Sequence, residues 1–404
     1  MKKILIVINT LGHAGAETAL LELLQHLNPK EYEVSLYVLM AQGELVHELP
    51  SHIKLLNAHY NDSSVLSKEG KGHMRRQVLG AMVKRGNIFR LLPYLMRNMT
   101  VMLGKRRVLP DKLLWRVLSD GGARFTTCYD LAVAFLEGGS AYYVADHVNA
   151  QKKAAFLHVD YERAGYTRAL DKDCYLKFDR IFTVYDEVKK SFLQAYPECE
   201  SKTEIFHNIL NVEAIRSKAK LGGGFQDSFD GYRILTVGRL TAQKAFEVSI
   251  AAMRLLKDKG EKVRWYVLGE GDQRGFLEEQ IRSLGLKEDF LLLGAVKNPY
   301  PYMIQADLYV HASRFEGKSI AIQEAQILGR PILVSDCSGN REQVVPDADG
   351  MMCALTPEDI CAGVSELLHD EEKRRRLGAA AAQRQFTDES EISKLLCLIE
   401  RNRV

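Results

Sequence analysis

Two carboxylates, Glu316 and Glu324, stand eight positions apart in HASRFEGKSIAIQEAQILGRPILVSD, His311 to Asp336, where polar and charged residues crowd the end of an apolar strand and the start of a helix. Two cations, Arg239 and Lys244, stand in VGRLTAQK, which leaves another strand through Gly238. Cationic side chains in a loop before a helix make a natural seat for a diphosphate, because they add fixed charge to the open N–H groups of the helix start. The turn from Gly317 to Ile320 offers the same chemistry: Gly317 leaves room, Ser319 stands as an N-cap, and the first-turn N–H groups favour an anion. The bland alternatives are solvated loop charges at Arg239 and Lys244 and an ordinary capped helix at Ser319.

LGEGDQR, Leu268 to Arg274, follows a further strand, and its Gly269 and Gly271 permit a tight turn with close backbone approach to a ligand such as a nucleobase; a simple turn explains them equally. Glu324 lies inside a helix whose Ile320, Ala321, Ala325 and Leu328 face the sheet, which places its carboxylate either near the site or on the solvent side. His158 ends the apolar run of KAAFLHVDY, where a structural histidine is the competing reading. No D-x-D pair lies in a suitable loop, so the residues themselves mark no site for a metal ion or cofactor.

The elements that must position these residues are α/β. Ile4 to Ile8 is a continuous apolar run, as in a parallel strand covered on both faces, and Asn9 to Gly15 is a glycine-containing loop. A helical stripe follows over Ala16 to Leu27, then a second strand over Glu33 to Met40. Further strands are expected at 131–135, 153–157, 180–184 and 202–206. After a glycine-rich, polar stretch, Ser217 to Gly231, the plan repeats: strand 233–237, helix 246–258, strand 263–268, helix 273–284, strands 289–293 and 307–311, helix 319–328, strand 331–335. The 404 residues exceed what one core usually organises, and the expected division is 1–208, 209–388 and a C-terminal helical segment, 389–404, with a hinge around 207–231.

Composition narrows the functional classes. Apolar residues make up 46% of the chain, enough for two cores and against disorder. Seven widely scattered cysteines without a C-x-x-C pair point to a reducing, cytoplasmic setting. The apolar start is too short for a signal-peptide core, and nothing approaches the roughly 20 apolar residues of a membrane span. The net charge of +3 gives no support for nucleic-acid binding, but it is unevenly placed: Lys68 to Arg116 holds thirteen Lys or Arg against two acids. Residues 74–118 mix Arg75, Arg76, Lys84, Arg85, Arg90, Arg97, Lys105, Arg106, Arg107 and Arg116 with apolar residues, the pattern of a segment lying on an anionic membrane at its inner face; a solvated helical pair covering the first domain is the alternative.

The E-x7-E spacing of Glu316 and Glu324, with VGRL plus Lys244 and LGEGDQR in the same order and separations, resembles the family 4 retaining glycosyltransferases of the GT-B fold, similar to those of bacterial cell-surface polysaccharide synthesis. The likeness covers nearly the whole chain, best at 232–350, and is poor at 60–125. It implies two Rossmann-like domains facing each other across a cleft. It assigns Glu324 to the donor ribose, Glu316 to the transferred sugar, and Arg239 and Lys244 to the diphosphate. Gly12, Gly15 and Ala16 match a glycine-rich loop of the first domain, His158 a histidine that reaches the sugar, and Asn208 an asparagine at the domain junction. Ser319, Ser338 and Arg341 depart from the usual residues, which bears on donor choice.

The implied activity is metal-independent, retaining transfer of a sugar from a nucleotide-diphosphate donor, UDP before GDP, to a glycan or polyprenyl-linked acceptor. A nucleotide-sugar epimerase of the same architecture and a non-catalytic nucleotide-sugar-binding protein are the competing classes. A nicotinamide oxidoreductase is opposed by the lack of G-x-G-x-x-G after Ile4 to Ile8 and of an acidic residue closing a second strand in the usual position.

Overall fold

Strand β1, Lys2–Ile8, is fully buried from Ile4 onward, because apolar side chains on both faces let helices cover a parallel sheet from both sides. In the computed structural model, which describes residues 1–65, 67–84, 89, 91–94, 96, 98, 110–386 and 390–400, the chain divides into two units. One comprises Met1–Ile209 with Asp388–Val404, the other Leu210–Thr387.

The first unit carries seven parallel strands: β1, β2 (Tyr32–Val38), β3 (Lys54–Leu55), β4 (Tyr129–Ala134), β5 (Ala150–Leu157), β6 (Arg180–Thr183) and β7 (Thr203–Ile205). Their order is β3-β2-β1-β4-β5-β6-β7, so the winding reverses between β1 and β4. The second unit repeats the scheme with β8 (Tyr232–Val237), β9 (Val263–Leu268), β10 (Phe290–Gly294), β11 (Leu308–His311), β12 (Ile332–Ser335) and β13 (Met351–Cys353). Its order, β10-β9-β8-β11-β12-β13, reverses between β8 and β11. Both are doubly wound α/β sheets, as the strand pattern of the sequence anticipated. In such sheets a crevice opens at the carboxyl ends of the strands flanking the reversal, which directs attention to the loops after β1, β4, β8 and β11.

The glycine-rich stretch before β8 is fixed to the second unit. Asp227 accepts from Arg233 Nη2 at 2.7 Å and Tyr266 Oη at 2.6 Å, Phe225 packs on Tyr266 with ring centroids 4.4 Å apart, and Gln305 bonds the Phe225 N–H and the Gly223 carbonyl. Residues 223–231 therefore belong to the body of that unit, which corrects the expectation of a hinge running to 231.

The helix Ser390–Glu400 packs on the first unit. Glu391 accepts the His207 N–H at 3.1 Å and Lys394 Nζ donates to the Ile205 carbonyl at 2.9 Å. In the basic stretch, the helix Lys68–Val83 turns Arg75, Arg76, Leu79 and Val83 to solvent. Arg116, by contrast, is buried, its guanidinium bonded to Asp146 and to the Asp171 carbonyl, so it is no part of a basic surface. Arg85, Arg90, Arg97, Lys105, Arg106 and Arg107 lie outside the described residues. Among the described residues no helix is long and apolar enough to cross a membrane.

Candidate functional site

The β8–β11 reversal gathers the chemistry of the second unit. Thr236 Oγ1 donates to the Val310 carbonyl and locks the two strand ends together. Beyond β8 the chain passes Gly238 and Arg239 into a short 3-10 turn, Ala242–Lys244; beyond β11 it passes Ser313 and Glu316 into the helix Ile320–Ile327. The loops brace each other, since the Arg314 N–H donates to the Gln243 carbonyl at 2.9 Å and Gln243 Nε2 donates to the Phe315 carbonyl at 2.9 Å.

Lys244 and Glu316 meet there. Lys244 Nζ lies 2.5 Å from Glu316 Oε1, with the side chains only 13% and 6% exposed. His311 Nε2 is 2.9 Å from the same oxygen and 3.1 Å from Lys244 Nζ, and Ser313 Oγ donates to it at 2.5 Å. Burial alone would raise the Glu316 carboxyl, but the Lys244 ammonium and His311 outweigh it and hold the group well below the usual carboxylate range. His311 is pushed down by burial and by the Lys244 ammonium, against the pull of Glu316. The cluster thus holds Glu316 as a carboxylate and biases His311 toward the neutral imidazole. Glu316 stays ionised, which suits orienting and electrostatic work and not proton donation.

Glu324 is 8% exposed, which removes the solvent-side alternative for it. Its Oε1 accepts a hydrogen bond from Tyr300 Oη at 2.8 Å. It also lies near Tyr309, whose phenol is raised first by burial and then by the Glu324 charge. Tyr309 Oη lies 3.4 Å from both the Val237 carbonyl and His311 Nδ1.

Ser319 occupies the N-cap of Ile320–Ile327, but its hydroxyl makes no capping bond to that helix. The expectation of a side-chain cap is thus corrected: the first-turn N–H groups are not closed by the hydroxyl of the residue best placed to do it. The turn is fixed from outside. A Cβ on Gly339 would meet the Gly317 and Glu316 carbonyl oxygens at 2.3 and 2.4 Å, and Gln343 Nε2 reaches the Gly317 oxygen at 3.3 Å.

Gly271 and Gly269 are needed by the protein itself. A Cβ on Gly271 would stand 2.2 Å from the Leu240 carbonyl oxygen, and Gly269 has φ +155° with the Gly238 oxygen 1.9 Å from where its Cβ would be. Gly238 differs, because a Cβ there would find nothing nearer than Lys244 Cε at 3.6 Å. Arg239 is exposed beside it.

The first unit has its own constellation at the β1–β4 reversal. Asn9 Nδ2 donates to the Glu137 carbonyl at 3.1 Å, and Asn9 Oδ1 accepts the Ser140 N–H at 2.8 Å. Glu137 Oε2 accepts the His158 N–H at 3.0 Å, and burial pushes its carboxyl up. His158 is pushed down to about 4 by burial, against the Phe135 carbonyl, so its ring is neutral; its Nε2 is buried without a hydrogen-bond partner. Gly15 and Ala16 open the helix Gly15–Gln25, whose N-cap, Ala14, has no side chain to close it. Asn208 is buried at the end of this unit.

His311, Ser313, Tyr300, Tyr309, Asn9 and Glu137 were not singled out by the sequence reading. The available signal was position for four of them: Asn9, Glu137, His311 and Ser313 stand at or just past strands that flank a reversal. Tyr309 lies inside one of those strands without reaching its end, and Tyr300 carries no such mark.

Known proteins resemble the chain in part of its sequence and in its fold. Residues 228–384 match the family model of Glycosyl transferases group 1. The chain is 31% identical over 188 residues, 46% of it and 50% of the relative, to the N-acetylgalactosamine-N,N'-diacetylbacillosaminyl-diphospho-undecaprenol 4-alpha-N-acetylgalactosaminyltransferase of Campylobacter jejuni. It is 31% identical over 153 residues, 37% of it and 39% of the relative, to the alpha-D-kanosaminyltransferase of Streptomyces kanamyceticus. The matches to such curated relatives span about half their length or less. Among solved structures, Anabaena HepE in complex with UDP and glucose superposes over 100% of both chains with a TM-score of 0.69 at 16% identity. The chain has the α/β, GT-B fold of glycosyltransferases.

Proposed function

We propose that this protein transfers a sugar from a UDP-sugar to a glycan or polyprenyl-linked saccharide, with retention at the anomeric carbon and without a metal ion. The observation that carries the reading is the Lys244–Glu316–His311 cluster at a strand reversal, beside an uncapped helix start, within the segment that matches a glycosyltransferase family. The lipid-linked acceptor in the Campylobacter relative's name and the UDP in the HepE complex support the acceptor class and the base.

In this reading the donor diphosphate lies against Lys244, Arg239, the Gly238 backbone and the N–H groups of Gly317 to Ile320, Gly271 opens the base site, and Glu324 takes the ribose. As the bond from the anomeric carbon to the phosphate oxygen breaks, the leaving UDP gains negative charge, and fixed donors placed there lower the barrier without reorganising. The acceptor hydroxyl attacks from the same face, and its proton passes to the departing phosphate oxygen. Glu316, held ionised, orients the sugar and stabilises developing positive charge on the ring. His158 and the Gly15–Ala16 turn of the first unit are proposed as sugar contacts.

The helix Lys68–Val83 supports a second element of the proposal, peripheral contact with anionic lipid at the cytoplasmic leaflet, because Arg75 and Arg76 are exposed on the helix that also exposes Leu79 and Val83. The test of the activity is turnover: purified protein with a panel of UDP-sugars, with and without a polyprenyl-diphosphate saccharide, followed by product NMR in the presence of EDTA. Transfer with an anomeric coupling matching the donor's supports the proposal. Inverted product or loss of turnover with EDTA overturns its stereochemical or metal-free part, and interconversion of donors without acceptor replaces it with an epimerase.

A further inference from the structure

We infer that Tyr300 is a positioning residue for recognition of the donor's ribose, acting by fixing the plane of the Glu324 carboxylate. The inference rests on the proposed donor site and extends it to a residue that touches the nucleotide only through its neighbour.

The geometry is local to the second unit. Tyr300 Oη donates to Glu324 Oε1 at 2.8 Å, and the carboxylate it meets is almost wholly buried. Tyr300 is itself well anchored. It opens the short helix Tyr300–Gln305 behind Pro299, its N–H donates to Asn298 Oδ1 at 3.3 Å, and Asn298 Nδ2 donates to the Lys218 carbonyl at 2.9 Å. That helix packs on Val212–Ala219. The phenol is thus delivered from a rigid element 24 positions away in sequence from the carboxylate.

A vicinal diol is bound best by a carboxylate whose two oxygens lie in a fixed plane, since each hydroxyl then donates to one oxygen. An ionised carboxylate offers about four acceptor sites, so a phenol donating to Oε1 is compatible with one hydroxyl donating to each oxygen. The side chain of a glutamate has three torsions, and holding the last of them before the ligand arrives removes an ordering cost from binding. Tyr300 therefore tunes affinity for the diol and leaves the phosphate and base contacts untouched.

The experiment measures the affinity of UDP and of 2′,3′-dideoxyuridine diphosphate, and of the corresponding guanosine pair, by calorimetry for the wild type, Tyr300→Phe, Glu324→Ala and the double variant. For the base that binds, wild type favours the diol-bearing nucleotide. Tyr300→Phe is expected to weaken that nucleotide about 10-fold, the scale of one hydrogen bond to a charged group, while the dideoxy affinity stays within about 2-fold. In the Glu324→Ala background the Tyr300 substitution should add nothing further.

Equal weakening of both nucleotides by Tyr300→Phe, no weakening of either, or the same loss with and without Glu324 overturns the inference, since each makes Tyr300 a packing or base-stacking residue. If wild type does not distinguish the nucleotides in either base, the ribose assignment of Glu324 fails and the inference falls with it. That result is separate from a failure of Tyr300 alone, in which wild type discriminates and the variant still does.

Discussion

Replacing Lys244 with methionine keeps most of the side-chain volume and removes the charge that faces Glu316. The carboxylate is then left nearly buried without its ammonium. Removing one partner of a buried ion pair costs about 3–5 kcal/mol. Here the loss is smaller, because Ser313 Oγ and His311 Nε2 remain within 2.5 and 2.9 Å of the same oxygen and Lys244 keeps some exposure. We expect about 2–3 kcal/mol, a fall in midpoint of about 5–10 °C for a unit of this size. The protein has only two tryptophans, Trp115 in the first unit and Trp265 buried in the second, so in a Trp115→Phe background the fluorescence of Trp265 follows the second unit alone. Adding Glu316→Gln should restore at least half of the loss, since the uncompensated charge is gone. A Lys244→Met variant as stable as its parent, or a double variant whose losses simply add, would refute the electrostatic reasoning.

Four further outcomes follow from the geometry. Gly238→Ala should leave the melting temperature within about 1 °C, as a Cβ meets nothing closer than 3.6 Å, yet weaken donor binding at least about 10-fold by filling space before Lys244. Gly271→Ala should lose both, measured by melting and by calorimetry, because its Cβ would collide with the Leu240 carbonyl at an overpacking cost of about 1–3 kcal/mol. His158 has a folded-state value depressed to about 4 from an ordinary value near 6.5, so the stability it contributes is present above about pH 6.5 and is lost as pH falls from there toward 4; His158→Gln should flatten that part of the first unit's pH–stability curve. Leu79→Glu with Val83→Glu should reduce sedimentation with phosphatidylglycerol vesicles at low salt without altering turnover on a water-soluble acceptor, while equal sedimentation of variant and parent would remove the membrane part of the proposal.

Most of the sheet was legible because parallel strands covered on both faces read as apolar runs; β1, β5, β8 and β9 fall within a few residues of their expected spans. The strands missed, β3 and β13, have two and three residues, too few to set a period. The helix Gly139–His147 was hidden for a different reason: Gly139 to Ala145 are all buried, so no polar face marks a 3.6-residue repeat. At the site, residue types and loop positions pointed to Lys244, Glu316 and Glu324, but not to what each touches. The contact of Lys244 with Glu316 spans 72 positions and that of Tyr300 with Glu324 spans 24, and both arise from strand order, which no local pattern encodes. Arg116 shows the reverse error. Its place in a basic run suggested a surface, whereas pairing with Asp146 and stacking on Tyr142 make it a core residue.

The central claim is that the second unit binds a nucleotide-sugar through Glu324 and the Lys244 loop. Calorimetric titration of wild type and Glu324→Ala with UDP-, GDP- and ADP-sugars addresses it in one experiment. One donor class should bind the wild type, UDP-sugars on this reading, and lose at least about 10-fold in the variant. No binding of any donor to the folded wild type, or equal binding to both proteins, would leave the claim without support.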